Sequence, residues 1–250
     1  MKTSYMVEYS TPIRILSYNI YFKSMLGIDQ NFSPQHLAQT NVKNVLKNNY
    51  DIIGLQEVEC FDKIYENNGQ VIKGKSGKET MVTILSDKFK IIKSEIKEFC
   101  EGRGIQLVLI EYKDNIWLIV NIHAPHYYNN FGDYYGENNV SMLKYNNEIT
   151  KILNETLERF IGNYKIDRLI ILGDFNEAFE KSNFFSLEIN NKSIIMKTSN
   201  KKPLSCCYRS KLSGIEKTGD LIYDSKIETI NKIAKVEFPA SDHLPVETTL

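Results

Sequence analysis

The chain has no excess charge of either sign: 31 lysines and arginines balance 31 aspartates and glutamates, so bulk electrostatics announce no polyanionic partner. No apolar run approaches the roughly 20 residues that cross a bilayer. The opening Met-Lys-Thr-Ser-Tyr-Met-Val-Glu also lacks the apolar stretch of a secretory signal. The expectation is a protein without a membrane segment, not secreted, residing in the cytoplasm, or in the nucleus if the cell has one. The four cysteines, Cys60, Cys100, Cys206 and Cys207, make no Cys-x-x-Cys pair, and the adjacent two are too constrained to bridge easily. Reduced thiols are expected and zinc is not. With only 13 glycines and 6 prolines there is no linker, and no repeat is visible. A chain of 250 residues, 42% hydrophobic, then reads as one domain over 1–250.

What the chain does have is a succession of short β-branched runs. Residues 13–20, 51–58, 80–85, 91–99, 104–112, 116–122, 168–172, 220–224 and 246–250 read as strands. Two stretches have helical spacing instead. In one, Ser33 can cap and Pro34 suits the first turn, with Ala38, Val42, Val45 and Leu46 on one face. In the other, Ile149, Ile152, Leu153, Leu157, Phe160 and Ile161 form a stripe ending at Gly162. Many strands interrupted by few helices predict sheets packed face to face with helices outside. Two segments read as loops: the tyrosine-rich 126–139, and 190–215, which carries six cations (Lys192, Lys197, Lys201, Lys202, Arg209, Lys211) and no acid.

Polar residues recur where the apolar strands end. They are Asn19 in Ser-Tyr-Asn-Ile, Glu57 in Leu-Gln-Glu-Val, His123 in Asn-Ile-His-Ala-Pro, Asp174 and Asn176 in Gly-Asp-Phe-Asn, Asp220 in Gly-Asp-Leu, and Asp242 with His243 in Ser-Asp-His-Leu-Pro. An unpaired carboxylate at the end of a buried strand costs several kcal/mol, so each needs a partner or a cation. Each residue alone has an ordinary structural reading; the shared strand-end position is what points to a site. Oxygen-rich donors without paired cysteines favour Mg2+, or Mn2+, over zinc.

In their order, Asn, Leu-Gln-Glu-Val, His, Gly-Asp-Phe-Asn, Asp and Ser-Asp-His, these motifs resemble the endonuclease/exonuclease/phosphatase superfamily, metal-dependent phosphoesterases that include deoxyribonuclease I. The match runs from about residue 13 to the C-terminus. It implies an α/β fold, a four-layered α/β/β/α sandwich of two packed mixed sheets flanked by helices. Residue by residue, it implies that Glu57 binds the metal, that Asn19 helps hold it or its water, and that Asp242 adds a further metal-shell or orienting acid. Asp174 would orient and deprotonate the attacking water, and Asn176 would bind a phosphate oxygen. His243 would face the scissile phosphate with Asp220 orienting it, and His123 would stand near the leaving group.

Glu79 reads either as a carboxylate behind His123 or as an exposed strand-edge residue. Arg103 reads either as a phosphate contact or as a surface turn between glycines. His126 reads as a loop histidine and His36 as structural or exposed. The expected substrate is nucleic acid, with the cations Lys201, Lys202 and Arg209 tracking phosphates and the tyrosine-rich loop stacking bases. Segments around Glu57 and His243 also look similar to the poly(A)-shortening exonucleases and the tyrosyl-DNA phosphodiesterases. The alternative is a phosphatase or phosphodiesterase of phosphoinositide or other phospholipid head groups. Against it, the Pro-x-Trp-Cys-Asp-Arg segment of inositol 5-phosphatases is missing. The abasic-site repair branch places an acid where this chain has Tyr21.

Overall fold

The structure, a computed structural model, describes residues 11–29, 34–59, 65, 69–100, 102–127, 141–206, 217–236 and 241–250. In chain order its elements are β1 (Arg14–Asn19), α1 (Phe22–Met25), α2 (Gln35–Leu46), β2 (Ile52–Gln56), β3 (Gln70–Ser76), β4 (Glu79–Leu85), β5 (Lys90–Cys100), β6 (Arg103–Tyr112) and β7 (Asn115–His123). There follow α3 (Met142–Ile161), β8 (Arg168–Asp174), β9 (Phe184–Ile189), β10 (Lys192–Lys197), β11 (Asp220–Asp224), β12 (Lys232–Ile233) and β13 (Val246–Thr249). All nine predicted strands and both predicted helices are present. Ser33 lies outside the described residues; Pro34 is the N-cap of α2, with the first helical position falling on Gln35.

The strands form two sheets, ordered β12-β13-β1-β2-β4-β3 and β5-β6-β7-β8-β11-β10-β9. Both are mixed: β1 runs parallel to β2, and β7 parallel to β8, within otherwise antiparallel ladders. Strand alternation sorts the side chains. In the six-stranded sheet Leu16, Tyr18, Ile53, Leu55, Val82 and Ile84 pack with Val42 and Val45 of α2. In the seven-stranded sheet Leu118, Val120, Leu169, Ile171, Leu221 and Tyr223 pack with Ile149, Leu153 and Leu157 of α3. Helix α3 is fixed at both ends, Ser141 Oγ accepting Lys144 N–H and Gly162 closing the last turn at φ +58°. The opposite faces of the two sheets meet one another through Ile15, Ile52, Leu85, Val108, Ile119, Ile170, Leu172, Ile222 and Val246. The result is the expected α/β/β/α layering.

The layer between the sheets changes character along the strands. Its floor is apolar. Further up, Thr83 Oγ1 donates to Gln106 Oε1 (2.7 Å) and Gln56 Nε2 to Asn121 Oδ1 (2.7 Å), all four residues buried. Above that tier, where β1, β2, β7 and β8 end, the predicted site residues emerge. The structure differs from the sequence pattern in two places. Segment 190–215 is not wholly a loop, because residues 192–197 form β10, which pairs with β9 as an edge hairpin. Four strands, β3, β9, β10 and β12, escaped notice. β3 and β9 are edge strands with alternating exposure, β12 is only two residues long, and β10 is mostly exposed with only Met196 buried, so none presents the long apolar run that marks a buried strand.

Candidate active site

Backbone register creates the core of the site. Strands β7 and β8 run side by side in parallel, so the register pair His123 and Asp174 reaches the same end of the sheet together. Gly173 permits this approach: its φ is +146°, and a Cβ there would stand 1.9 Å from Ile122 O. Antiparallel β11 adds Asp220 directly opposite Asp174. From the facing sheet, β1 contributes Asn19, and Glu57 follows β2 in a left-handed conformation (φ 56°), uncommon for a residue with a side chain. Asn176, with φ 50°, shares that trait.

Asp174 is the hub. Its Oδ2 accepts from Asn19 Nδ2 (3.0 Å) and lies 3.3 Å from His123 Nε2 and 3.6 Å from His243 Nε2, while its Oδ1 accepts Asn176 N–H (2.9 Å). Asn19 Nδ2 also reaches Glu57 Oε1 (3.5 Å), and its own Oδ1 accepts Tyr21 N–H (3.0 Å). The amide therefore bridges two carboxylates with its nitrogen. Asn176 Nδ2 is tied to Ala124 O (2.6 Å), which leaves its Oδ1 turned elsewhere.

Each imidazole has its own carboxylate. His243 Nδ1 is 2.8 Å from Asp220 Oδ2, and His123 Nδ1 is 2.5 Å from Glu79 Oε1. Glu79 is therefore buried behind His123, at 6% exposure, and not at an exposed strand edge. Arg103 Nη1 donates to Glu57 Oε1 (3.3 Å) and packs against the His123 ring, which places it inside the site and not on a surface turn. Ser205 Oγ accepts the N–H groups of Gly219 and Asp220, and Ser241 Oγ that of His243, so Ser205, which no motif marked, holds the approach to β11, and the motif serine Ser241, given no role from sequence, holds the His243 turn.

These contacts set the charges. Burial and Arg103 both act to lower the His123 pKa, but Glu79 and Asp174 outweigh them and push it up to about 9. Burial also opposes the His243 cation, and Asp220 and Asp174 overcome it, raising the pKa well above the usual histidine range. Burial would raise Asp174, yet His243 and His123 hold that carboxyl well below the carboxylate range. Burial raises Asp242, and the nearby Glu57 and Asp174 carboxylates add to the rise against the pull of His243. The site is thus a carboxylate cluster threaded by two imidazolium groups and a guanidinium.

Asp174, Asp220 and His243 offer ligand atoms within 4.8 Å of one another, a group with the composition to hold a metal. Of the donors expected from sequence, Glu57 adjoins it through Asn19, and Asp242, next to His243, is close enough to feel the Glu57 and Asp174 charges. Buried acceptors at Asn176 Oδ1, Asp220 Oδ1 and Glu79 Oε2 have no hydrogen-bond partner among the described residues, and such atoms suit a cation or its water ligands.

The peripheral expectations fare unevenly. Lys201 is exposed. Lys202 is not available to a phosphate as expected, because its ammonium donates to the carbonyls of Phe179 (2.7 Å), Glu180 (2.8 Å) and Ser182 (2.6 Å). Arg209, Lys211 and residues 128–139 lie outside the described residues. His126 Nδ1 stands 3.5 Å from Glu177 Oε1, and His36 is exposed. Cys206, expected as a free thiol, is disulfide-bonded, with Sγ 3.5 Å from His243 Nε2.

No family model matches the chain, and no curated protein matches it. Solved structures do. TDP2 from Caenorhabditis elegans superposes with a TM-score of 0.61 at 16% identity, covering 95% of this chain and 96% of that one. The human Nocturnin catalytic domain, determined with bound sulfate, gives 0.62 at 17% over 95% and 93%. A mannosyl-6-phosphatase from Bacteroides thetaiotaomicron gives 0.62 at 16% over 95% and 99%, and an endonuclease/exonuclease/phosphatase family protein from the same organism gives 0.62 at 15% over 96% and 94%. Taken with the two stacked mixed sheets and their flanking helices, these superpositions give the chain the fold of the endonuclease/exonuclease/phosphatase superfamily.

Proposed function

We propose that the protein is a metal-dependent hydrolase of phosphoric esters whose substrate is a phosphodiester in nucleic acid, with Mg2+ as the cation. The observation that carries this reading is Asp174, an ionised carboxylate 3.3 and 3.6 Å from two imidazoles whose pKa values are raised. A carboxylate that can accept a proton, flanked by groups that donate, is what hydrolysis of a phosphate ester requires.

Glu57, adjoined by Asp242 and oriented through Asn19 and Arg103, would hold the metal. His243 is a poor ligand while protonated, since an imidazolium has no free lone pair. When bound, the metal withdraws charge from the phosphoryl oxygens and makes a nearby water more acidic. Asp174 orients the attacking water and accepts its proton as the new phosphorus–oxygen bond forms. His243, kept cationic by Asp220, donates to a non-bridging oxygen, and Asn176 stands beside it. As the bond to the leaving oxygen breaks, His123 delivers a proton to that oxygen, with Glu79 stabilising the imidazolium beforehand. The products are an alcohol and a phosphate ester with one fewer substituent.

Exposed Lys201 supports a polyanionic substrate, whereas Lys197 pairs with Asp224 at the end of β11 away from Asp220, which keeps β10 and its lysines remote from the site. The sugar phosphatase among the structural neighbours makes a phosphomonoester the comparison to include. The test is turnover of single-stranded and duplex DNA, RNA with a poly(A) end, a 5′-tyrosyl oligonucleotide, a phosphoinositide and mannose 6-phosphate, with Mg2+ or EDTA, beside Asp174→Ala. Oligonucleotide cleavage that needs Mg2+ and Asp174 is expected. Equal turnover in EDTA would sink the mechanism, and turnover of the lipid or sugar phosphate alone would replace the substrate.

A further inference from the structure

Below the charged site, neutral side chains cross from sheet to sheet, and one of them does so directly beneath Glu57. Asn121 belongs to β7, yet its Nδ2 donates to two main-chain carbonyls of the other sheet, Leu55 O on β2 (3.2 Å) and Val82 O on β4 (3.1 Å). These two residues are register partners, the last pair of the β2–β4 ladder. The carboxamide is fully buried, and its Oδ1 accepts from Gln56 Nε2 (2.7 Å). Its orientation is unambiguous: two carbonyls demand the donor end, which leaves the oxygen for Gln56. Gly54 makes room, for a Cβ there would meet Leu172 Cδ1 at 2.3 Å and Asn121 Cγ at 3.1 Å.

What happens to β2 immediately afterwards gives this contact its meaning. An unbroken antiparallel ladder would bring Val58 opposite Glu79. Instead Val58 N–H reaches Thr80 O (3.0 Å), so β2 carries one extra residue after Leu55. Glu57 lies in that insertion, in its left-handed conformation, with its N–H turned to Glu79 Oε1 (3.4 Å). A bulge of this kind re-aims a side chain, and the chain must be held for the strained backbone to persist.

We infer that Asn121 is a positioning residue for Glu57: by taking the carbonyls of Leu55 and Val82, its carboxamide ends the β2–β4 ladder and fixes the bulge that turns the Glu57 carboxylate into the site. The inference rests on the proposed reading of Glu57 as a metal ligand. Asn121 touches neither metal nor substrate; it acts through the backbone of β2. It also explains why a neutral amide sits between the sheets, where apolar packing would fill the space without needing partners.

The test measures Mn2+ binding by the free-ion electron paramagnetic resonance signal, on the full chain without substrate, alongside urea unfolding without metal. Asn121→Leu fills the volume without a donor. Asn121→Ser retains one donor and keeps the test alive if the leucine variant does not fold. Gln56→Leu removes only the amide-to-amide bond, and Glu57→Gln is the control for the ligand itself. Expected is a weakening of Mn2+ affinity of about 10–100-fold in folded Asn121→Leu, the range found when groups that orient metal ligands are removed. Asn121→Ser should be intermediate and Gln56→Leu nearer the parent. Folded Asn121 variants that bind within threefold of the parent, while Glu57→Gln does not bind, would overturn the inference alone. If Glu57→Gln also binds like the parent, the ligand reading fails and the inference falls with it.

Discussion

At Asp174 one carboxylate oxygen accepts the Asn176 N–H, while the other accepts from Asn19 and is approached by two imidazoles. Replacing it by asparagine keeps the shape and removes the proton acceptor, so Asp174→Asn should lower kcat by about 10²–10⁴-fold. Steady-state rates checked against unchanged circular dichroism would show this. Glu177 offers a cleaner reading of pH. Burial would raise its pKa, but His126, the ammonium of Lys217 at 2.5 Å and the Tyr127 N–H bring it down to about 2. A carboxyl depressed in the folded state contributes stability that is present above its unfolded pKa, near 4.5, and lost as pH falls from there towards about 2. Glu177→Gln should therefore cost about 1–3 kcal/mol at pH 7 and converge on the parent near pH 2. Urea midpoints across that range test it, and a constant difference would contradict it.

Among the elements, β8 depends on one backbone choice. Gly173→Ala drives a methyl into Ile122 O across the β7–β8 pairing and imposes a φ of +146° on an L-residue. A loss of about 3 kcal/mol or more is expected, read from thermal and urea unfolding, because neither strand can retreat without disrupting the sheet. Pattern identified β8 because both its faces are buried and its sequence is a continuous aliphatic run. It missed β9, whose alternation of exposed and buried residues comes from lying at the sheet edge beside α3. The bulge after β2 was equally illegible: Leu-Gln-Glu-Val does not state that the ladder breaks, since Asn121 arrives from a strand 66 positions from Leu55.

Across the whole molecule, zero net charge conceals a buried acidic cluster and cations exposed on the surface. The segment that sums to six cations is not one surface. Lys192 and Lys197 stand on the β10 edge, Lys201 is exposed, and Lys202 closes three carbonyls. Changing Lys201 to glutamine should flatten the dependence of log K on log salt by about 0.7, the value for one cation on a single strand, while Lys192→Gln and Lys197→Gln, beyond the end of β11 away from Asp220, should leave it nearly unchanged. Lys202→Met should leave that slope unchanged and instead cost about 1–3 kcal/mol of stability, because three part-buried carbonyls lose their donor. Fluorescence anisotropy with an oligonucleotide between low and moderate salt, together with urea unfolding, separates the two.

The sequence by itself determined which strands are buried, which helix faces are apolar and which polar residues end the strands, because these follow from periods of 2 and 3.6 residues and from the cost of burying charge. It named Asp174, His123, His243, Asp220, Glu57 and Asn19 together. Only the tertiary structure decided how they are wired. Glu79 lies behind His123, Arg103 against Glu57, Lys202 is spent on its own backbone, and Asn121 reaches under the opposite sheet. Each of these depends on a distance between segments remote in the chain, and the preference of a side chain for its neighbours is not written until the two sheets have closed on one another.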